Sequence, residues 1–261
     1  MSLVRLTRSK VGIRSELQLA LWLGFFSLVA AALLLNLFMG SASRVATVLR
    51  VLWLLAGSGS VAFWSLKRRA LIARSFSSAM RISNWPSLLL GLAVLFAALF
   101  MANFAAAEPM DYDAGLYRLG VINYAAEYRV IPGLANLHDR FGFNSFLGPV
   151  AGWLGTGLWQ QEGFRLISGL FVSALFPDVL LRIVVPRRKT PGDYFLTISA
   201  GFVCWVVLTD SGRWIPSPAV DVIALTLIAI VIGYLADFAS SKGTWLWQIP
   251  IIILVSALAA A

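Results

Sequence analysis

One histidine, one cysteine and only twelve acidic residues stand in a chain of 261 residues, and each scarcity closes off some chemistry. A single His138 cannot supply a multi-histidine metal centre, and no zinc-ligand spacing accompanies it. The lone Cys204 has no partner for an intramolecular disulfide. Neither a phosphate-cradling loop ending in Gly-Lys-Ser/Thr nor a Ser-His-Asp order is present. Charge is scarce as well: 13% of residues are charged against 59% hydrophobic, and the mean hydropathy is +0.83. One water-soluble core cannot hide that much apolar surface, so the solvent of this chain is lipid.

A helix crossing about 30 Å of hydrocarbon needs roughly 20 apolar residues. Seven runs meet that need, at 17–38, 45–66, 85–105, 164–185, 194–208, 219–236 and 245–261. They are continuously apolar where barrel strands would alternate, which selects helices. The expected fold is therefore all-α, a polytopic membrane protein of about seven transmembrane helices. The formal charge of +9 does not point to nucleic acid, because the basic residues lie in short connections between runs. Arg5, Arg8, Lys10 and Arg14 precede the first run, and Lys67, Arg68, Arg69, Arg74 and Arg81 fill the second connection. The positive-inside rule places both in the cytoplasm, with the N-terminus, and the PRRK cluster at 186–189 beside them. The segment 106–162 is then outside, and one crossing separates it from that cluster. Two apolar runs compete for the crossing. The run 145–159 holds Gly148, Pro149, Gly152, Gly155 and Gly157, so it reads as a re-entrant or juxtamembrane helix, and 164–185 as the span.

The outer loop is the one long polar region, and its aliphatic and aromatic content argues against disorder. Asp113 reads as a helix N-cap, 114–128 as a surface helix with Leu116, Leu119, Ile122 and Ala126 in a rough stripe, and Pro132-Gly133 as a turn. Asp111 and Asp113 stand two apart just after a span, and His138 follows in NLHDR. These are candidates for acid/base or ion-binding work. Arg118, Arg129, Arg140, Arg165 and Arg213 lie outside against the charge bias, where cations pair with a lipid phosphate or with headgroups and loop acids. Arg50 lies within the second run, either snorkelling or facing the bundle. Ala56 and Ser60 give that run a small-residue face, and Asp178 with Arg182, four apart, reads as a structural ion pair.

The segments YDAGLYRL, EYRVIPGLANLHDRFGFNS and IPSPAVD, within roughly 85–237, resemble a bacterial multi-pass membrane family near the integral-membrane glycosyltransferases of the GT-C type. The resemblance implies a bacterial inner-membrane enzyme that moves a sugar from a polyprenyl-phosphate donor on the outer face. In GT-C enzymes an acid of the first outer loop is the base or orients the acceptor, a role that falls by resemblance on Asp111 or Asp113. Tyr117, Arg118, His138, Arg140, Asn144, Arg165 and Asp221 become the candidate substrate contacts. No cofactor is assigned, and a carboxylate-bound divalent cation stays open. GT-C enzymes are usually much longer, so 85–261 reads as an incomplete GT-C-like module with outer loop 106–162, and 1–84 as an added two-helix hairpin. The expected partners are membrane lipid and the lipid-linked sugar, with no nucleic acid. A transporter or a non-catalytic scaffold are the alternative classes; a transporter should carry ionisable groups deep in several spans.

Overall fold

A computed structural model describes residues 13–79, 85–105, 107–109, 111–136, 139, 145–155, 162–184, 189–209, 215–218, 220–240 and 248–260. All regular structure among them is helical. The longer helices are α1 (Ile13–Phe38), α2 (Arg44–Ala79) and α3 (Trp85–Ala105), then α4 (Leu119–Glu127) and α5 (Leu147–Leu154) in the loop region. After them come α6 (Gly163–Ser173), α7 (Leu175–Val184), α8 (Pro191–Thr209), α9 (Val220–Ser240) and α10 (Gln248–Ala260). Five stretches are long and apolar enough to cross a membrane: Arg14–Phe38, Arg44–Trp64, Leu88–Ala105, Gly163–Ile183 through α6 and α7, and Val220–Ser240. Between 145 and 155 the only helix is α5, whose 8 residues reach about 12 Å and cannot span a bilayer.

Proline marks where helices begin. Pro86, Pro149, Pro177, Pro191 and Pro250 all lie within the first three residues of α3, α5, α7, α8 and α10. First-turn amides have no intrahelical acceptor, so proline loses nothing there. Pro177 also explains the break between α6 and α7. It cannot donate to Ser173, and Ala174 divides its N–H between the carbonyls of Leu170 and Phe171, at 3.2 Å each.

Helix α9 packs between α8 and α10, α3 lies along α6 and α7, and α1 contacts α5, α7 and α10. Trp22 of α1 is buried in one core with Phe171, Phe176, Leu227, Tyr234 and Val255. Helix α1 enters the core, whereas α2 touches the bundle sparsely and runs back beside α1, where Trp64 donates to Glu16 at 3.2 Å. The Ala56–Ser60 face of α2 is exposed, and a Cβ added at Gly57 or Gly59 would meet nothing. Arg50 faces inward and donates to the carbonyl of Trp153.

At one end of the bundle the loop region is sewn to the turn after α1. Asn36 donates from its amide to the carbonyls of Ala125 (2.9 Å) and Tyr128 (3.1 Å), and its own carbonyl accepts from Val130 (2.9 Å). Ser41 and Ala42 donate to Ala125 and Ala126 at 2.9 Å each. Gly40 permits this approach, because a Cβ there would lie 2.5 Å from the carbonyl oxygens of Ala126 and Glu127. On its other side α4 rests on α5 through Gly148 and Gly152, where added Cβ atoms would meet Ala125 at 3.3 Å and Ala126 at 3.1 Å. These glycines let two backbones come close, as small residues one turn apart do inside membranes. Gly40→Val should cost about 1–3 kcal/mol, the range for overpacking, and lower the thermal midpoint in detergent. A midpoint equal to that of the unaltered protein would mean that the clasp opens at little cost.

Candidate functional site

Two polar centres lie at opposite ends of α1, which carries Arg14 at one end and Asn36 at the other, about 33 Å apart at ~1.5 Å per residue.

At the loop end, the chain leaving α3 turns into a helix at Tyr112, passes through one wide turn at Ala114–Arg118 and continues as α4. In that turn Leu119 donates to the carbonyl five residues back, at Ala114. Single wide turns of this kind recur at functional sites. Here the turn accompanies a folding-back of Arg118 on the acids that precede it. Arg118 donates through Nη1 to Asp111 Oδ2 at 2.6 Å and through Nη2 to Asp113 Oδ2 at 3.2 Å. Its guanidinium also lies over the Tyr117 ring, 5.8 Å from the centroid. The expected N-cap at Asp113 is corrected. Its backbone is already helical (φ −65°, ψ −27°) and its side chain makes no cap bond, because the carboxylate is drawn to Arg118. The two acids differ: the Asp111 side chain is 12% exposed and that of Asp113 33%.

A small cleft beside this triad brings together pieces of all three sequence motifs: Tyr117 and Arg118, then Ser145, then Pro218 and Val220. The IPSP turn is held there by Ser168, whose hydroxyl donates to the Ser217 carbonyl at 2.5 Å, while Ile215 is fully buried. On the other side of α4 opens a wider cavity of about 390 Å³. Leu34, Leu37, Val121 and Ile131 make its wall apolar, and Tyr124 and Arg129 add polar groups. Val121 and Ser145 line both spaces, so α4 forms the partition between them. Of the other candidate contacts, Arg165 pairs with Glu162 and lines neither space, and Asp221 is exposed at the start of α9 next to Val220. Gly133 takes φ +83° in the expected turn. His138, Arg140 and Asn144 lie outside the described residues.

The opposite end holds a buried ionic network that reaches well beyond the expected Asp178–Arg182 pair. Arg182 donates through Nε to Asp178 (2.9 Å) and through Nη1 to Asp193 (3.0 Å) and Asp237 (2.6 Å). Asp178 also accepts from Gln18 (2.5 Å), Trp22 (3.2 Å) and Tyr234 (2.8 Å). Arg14 meets Asp193 at 2.5 Å, and Asp237 accepts from the Thr190 hydroxyl (2.5 Å) and the Gly192 N–H (3.1 Å). Thus α1, α7, α8 and α9 converge on two arginines and three aspartates, all buried. Lys189 stands at the rim, donating to the carbonyl of Arg182 at 2.6 Å and, more distantly, to that of Ile183, which caps the end of α7. Burial pushes its ammonium below its ordinary pKa; Asp193 opposes this and Arg14 adds to it. Reading along the chain missed this centre because Arg14, Asp193 and Asp237 each look like an interfacial charge beside a span. The available signal was Asp178 inside an otherwise apolar run, since buried carboxylates require partners.

Among the described residues no cluster of three or more His, Cys, Asp or Glu is placed to hold a metal ion. A family model described as a domain of unknown function (DUF8201) matches residues 3–261. No curated protein and no solved structure matches the chain.

Proposed function

We propose that this chain, which belongs to the DUF8201 family, is a GT-C-like transferase, moving a sugar from a polyprenyl-phosphate donor at the outer face of a bacterial inner membrane. In this reading the chain crosses the membrane seven times with its N-terminus in the cytoplasm, α8 and α10 completing the five longer spans. The observation that carries the reading is the carboxylate pair Asp111 and Asp113, set by one arginine beside a cleft and next to a larger apolar cavity.

The proposed chemistry follows from the difference between the two acids. Asp111, shielded and in the shorter contact, positions Arg118. Asp113 keeps more solvent access and acts as the base. It takes the proton of an acceptor hydroxyl as that oxygen bonds to the anomeric carbon of the donor sugar, and the bond from that carbon to the phosphate oxygen breaks. The phosphate leaves with its negative charge, which Arg118 at the same cleft would offset. The isoprenoid chain suits the apolar residues of that cleft, Val121, Ile122 and Leu147. The network at the opposite end favours a second reading, a transporter with ionisable groups in its spans. Its arginines and aspartates pair with one another and tie four helices, a pattern that serves rigidity better than passage.

Proteoliposomes holding the purified protein and a polyprenyl-phosphate-linked sugar should release sugar to an added acceptor. Arg118→Gln should raise the donor KM by about tenfold, as loss of one charge-assisted hydrogen bond does. Absence of transfer above protein-free liposomes across hexose, pentose and amino-sugar donors would overturn the reading.

A further inference from the structure

The network end carries a second cavity, of about 230 Å³, on the flank of the bundle between α3 and α8. Its wall is Leu90, Ile183, Thr197 and Ile198, and its polar end is formed by Lys189, with Arg182, Asp193 and Tyr194 beside it. The opening faces sideways: Ile198 is 72% exposed, Tyr194 61% and Leu90 42%. In a chain with membrane-spanning helices, exposed apolar residues of this kind meet acyl chains. A ligand reaching this cleft therefore comes from the lipid.

The polar end has a donor to spare. Lys189 has three N–H donors and spends two on carbonyls that end α7. Behind it the Arg182 guanidinium is fully buried against the Tyr234 ring and adds positive charge without facing the cleft. Asp193 does not repel an anion strongly from here, because Arg14 and Arg182 already hold its carboxylate. A cleft with an apolar wall, a tyrosine at its mouth and a cationic end matches a phosphodiester headgroup followed by acyl chains. We propose that this cleft is a binding site for an anionic phospholipid, its phosphate on the exposed Lys189, with the buried Arg182 behind it, and one acyl chain along Leu90, Ile183 and Ile198. The site is independent of sugar transfer and lies at the other end of the bundle. A phosphate on Lys189 would also offset the burial that disfavours its charge.

The test is native mass spectrometry of the full chain, released from bilayers of phosphatidylcholine and phosphatidylglycerol in equal parts. The unaltered protein should retain phosphatidylglycerol preferentially. Lys189→Gln, which keeps donors for the two carbonyls, should reduce that preference about fivefold, the effect of one basic residue at a lipid surface. Lys189→Arg should preserve it. Ile198→Trp touches no charge and fills the cleft, so it should remove the retained lipid even if Lys189→Gln proves too unstable to purify. Equal lipid ratios in the unaltered protein, Lys189→Gln and Ile198→Trp would overturn the proposal. So would displacement of the lipid by inorganic phosphate, which would mark a site for a soluble anion.

Discussion

Asp178→Ala will lower the stability of the fold by about 3–5 kcal/mol, the cost of leaving a buried charge without its partner. Asp178 is fully buried and accepts from four side chains: Gln18, Trp22, Arg182 and Tyr234. Alanine leaves all four donors unmatched in a place water does not reach. Arg182 would keep Asp193 and Asp237, so the network loosens at α1 and α7 first. Asp178→Asn preserves the volume and one acceptor oxygen and should fall between alanine and the native residue. The measurement is unfolding in detergent micelles, followed by tryptophan fluorescence, since Trp22 lies in the network itself. A loss under about 1 kcal/mol for Asp178→Ala would mean that water enters and solvates the cluster, and the lock described here would not exist.

The other large effect concerns turnover. Asp113→Asn will cut sugar transfer by about 10²–10⁴-fold, the contribution of a positioned general base, with the thermal midpoint close to that of the unaltered protein. The amide fills the same space and still accepts from Arg118, but it cannot take a proton. Asp111→Asn takes the charge out of the shorter contact to Arg118 and should act through position, reducing transfer by about tenfold. If Asp111→Asn shows the larger loss, the two roles are exchanged. Near-native transfer by both variants would take the pair out of catalysis and the transferase reading with it.

Much of the fold can be read along the chain. A span declares itself by local composition, as in 85–105, where Ser87 and Asn103 are the only polar side chains. The short helix at 147–154 could be anticipated from its length and its Gly and Pro content. The meaning of those glycines could not. Gly148 and Gly152 look like weak points in a helix, whereas in three dimensions they are where α4 rests. The candidate site was legible as residue types: Asp111, Asp113, Tyr117 and Arg118 all belong to one centre. Its wiring was not, because the wide turn at Ala114–Arg118 carries no distinctive signature and sends Asp113 to Arg118 rather than to a cap. The network at the far end was the least legible. Its partners lie as far apart as Arg14 and Asp193, and nothing local to either says that they touch.

Helix α2 has a consequence of scale. Its 36 residues form a rod on the order of 54 Å long, against a hydrocarbon layer of about 30 Å. Only its first part, Arg44–Trp64, matches that layer in length and composition. Tilting absorbs part of a mismatch, but the sequence from Lys67 onward carries Arg68, Arg69 and Arg74, and charge of that density does not enter acyl chains. The surplus of roughly 24 Å therefore stands out of the bilayer as a stalk, several helical turns tall. The contacts of α2 with Glu16 and Trp153 lie in its first part, up to Trp64. The angle of the surplus to the membrane should therefore follow the tilt of Arg44–Trp64, which a thinner bilayer increases and a thicker one reduces.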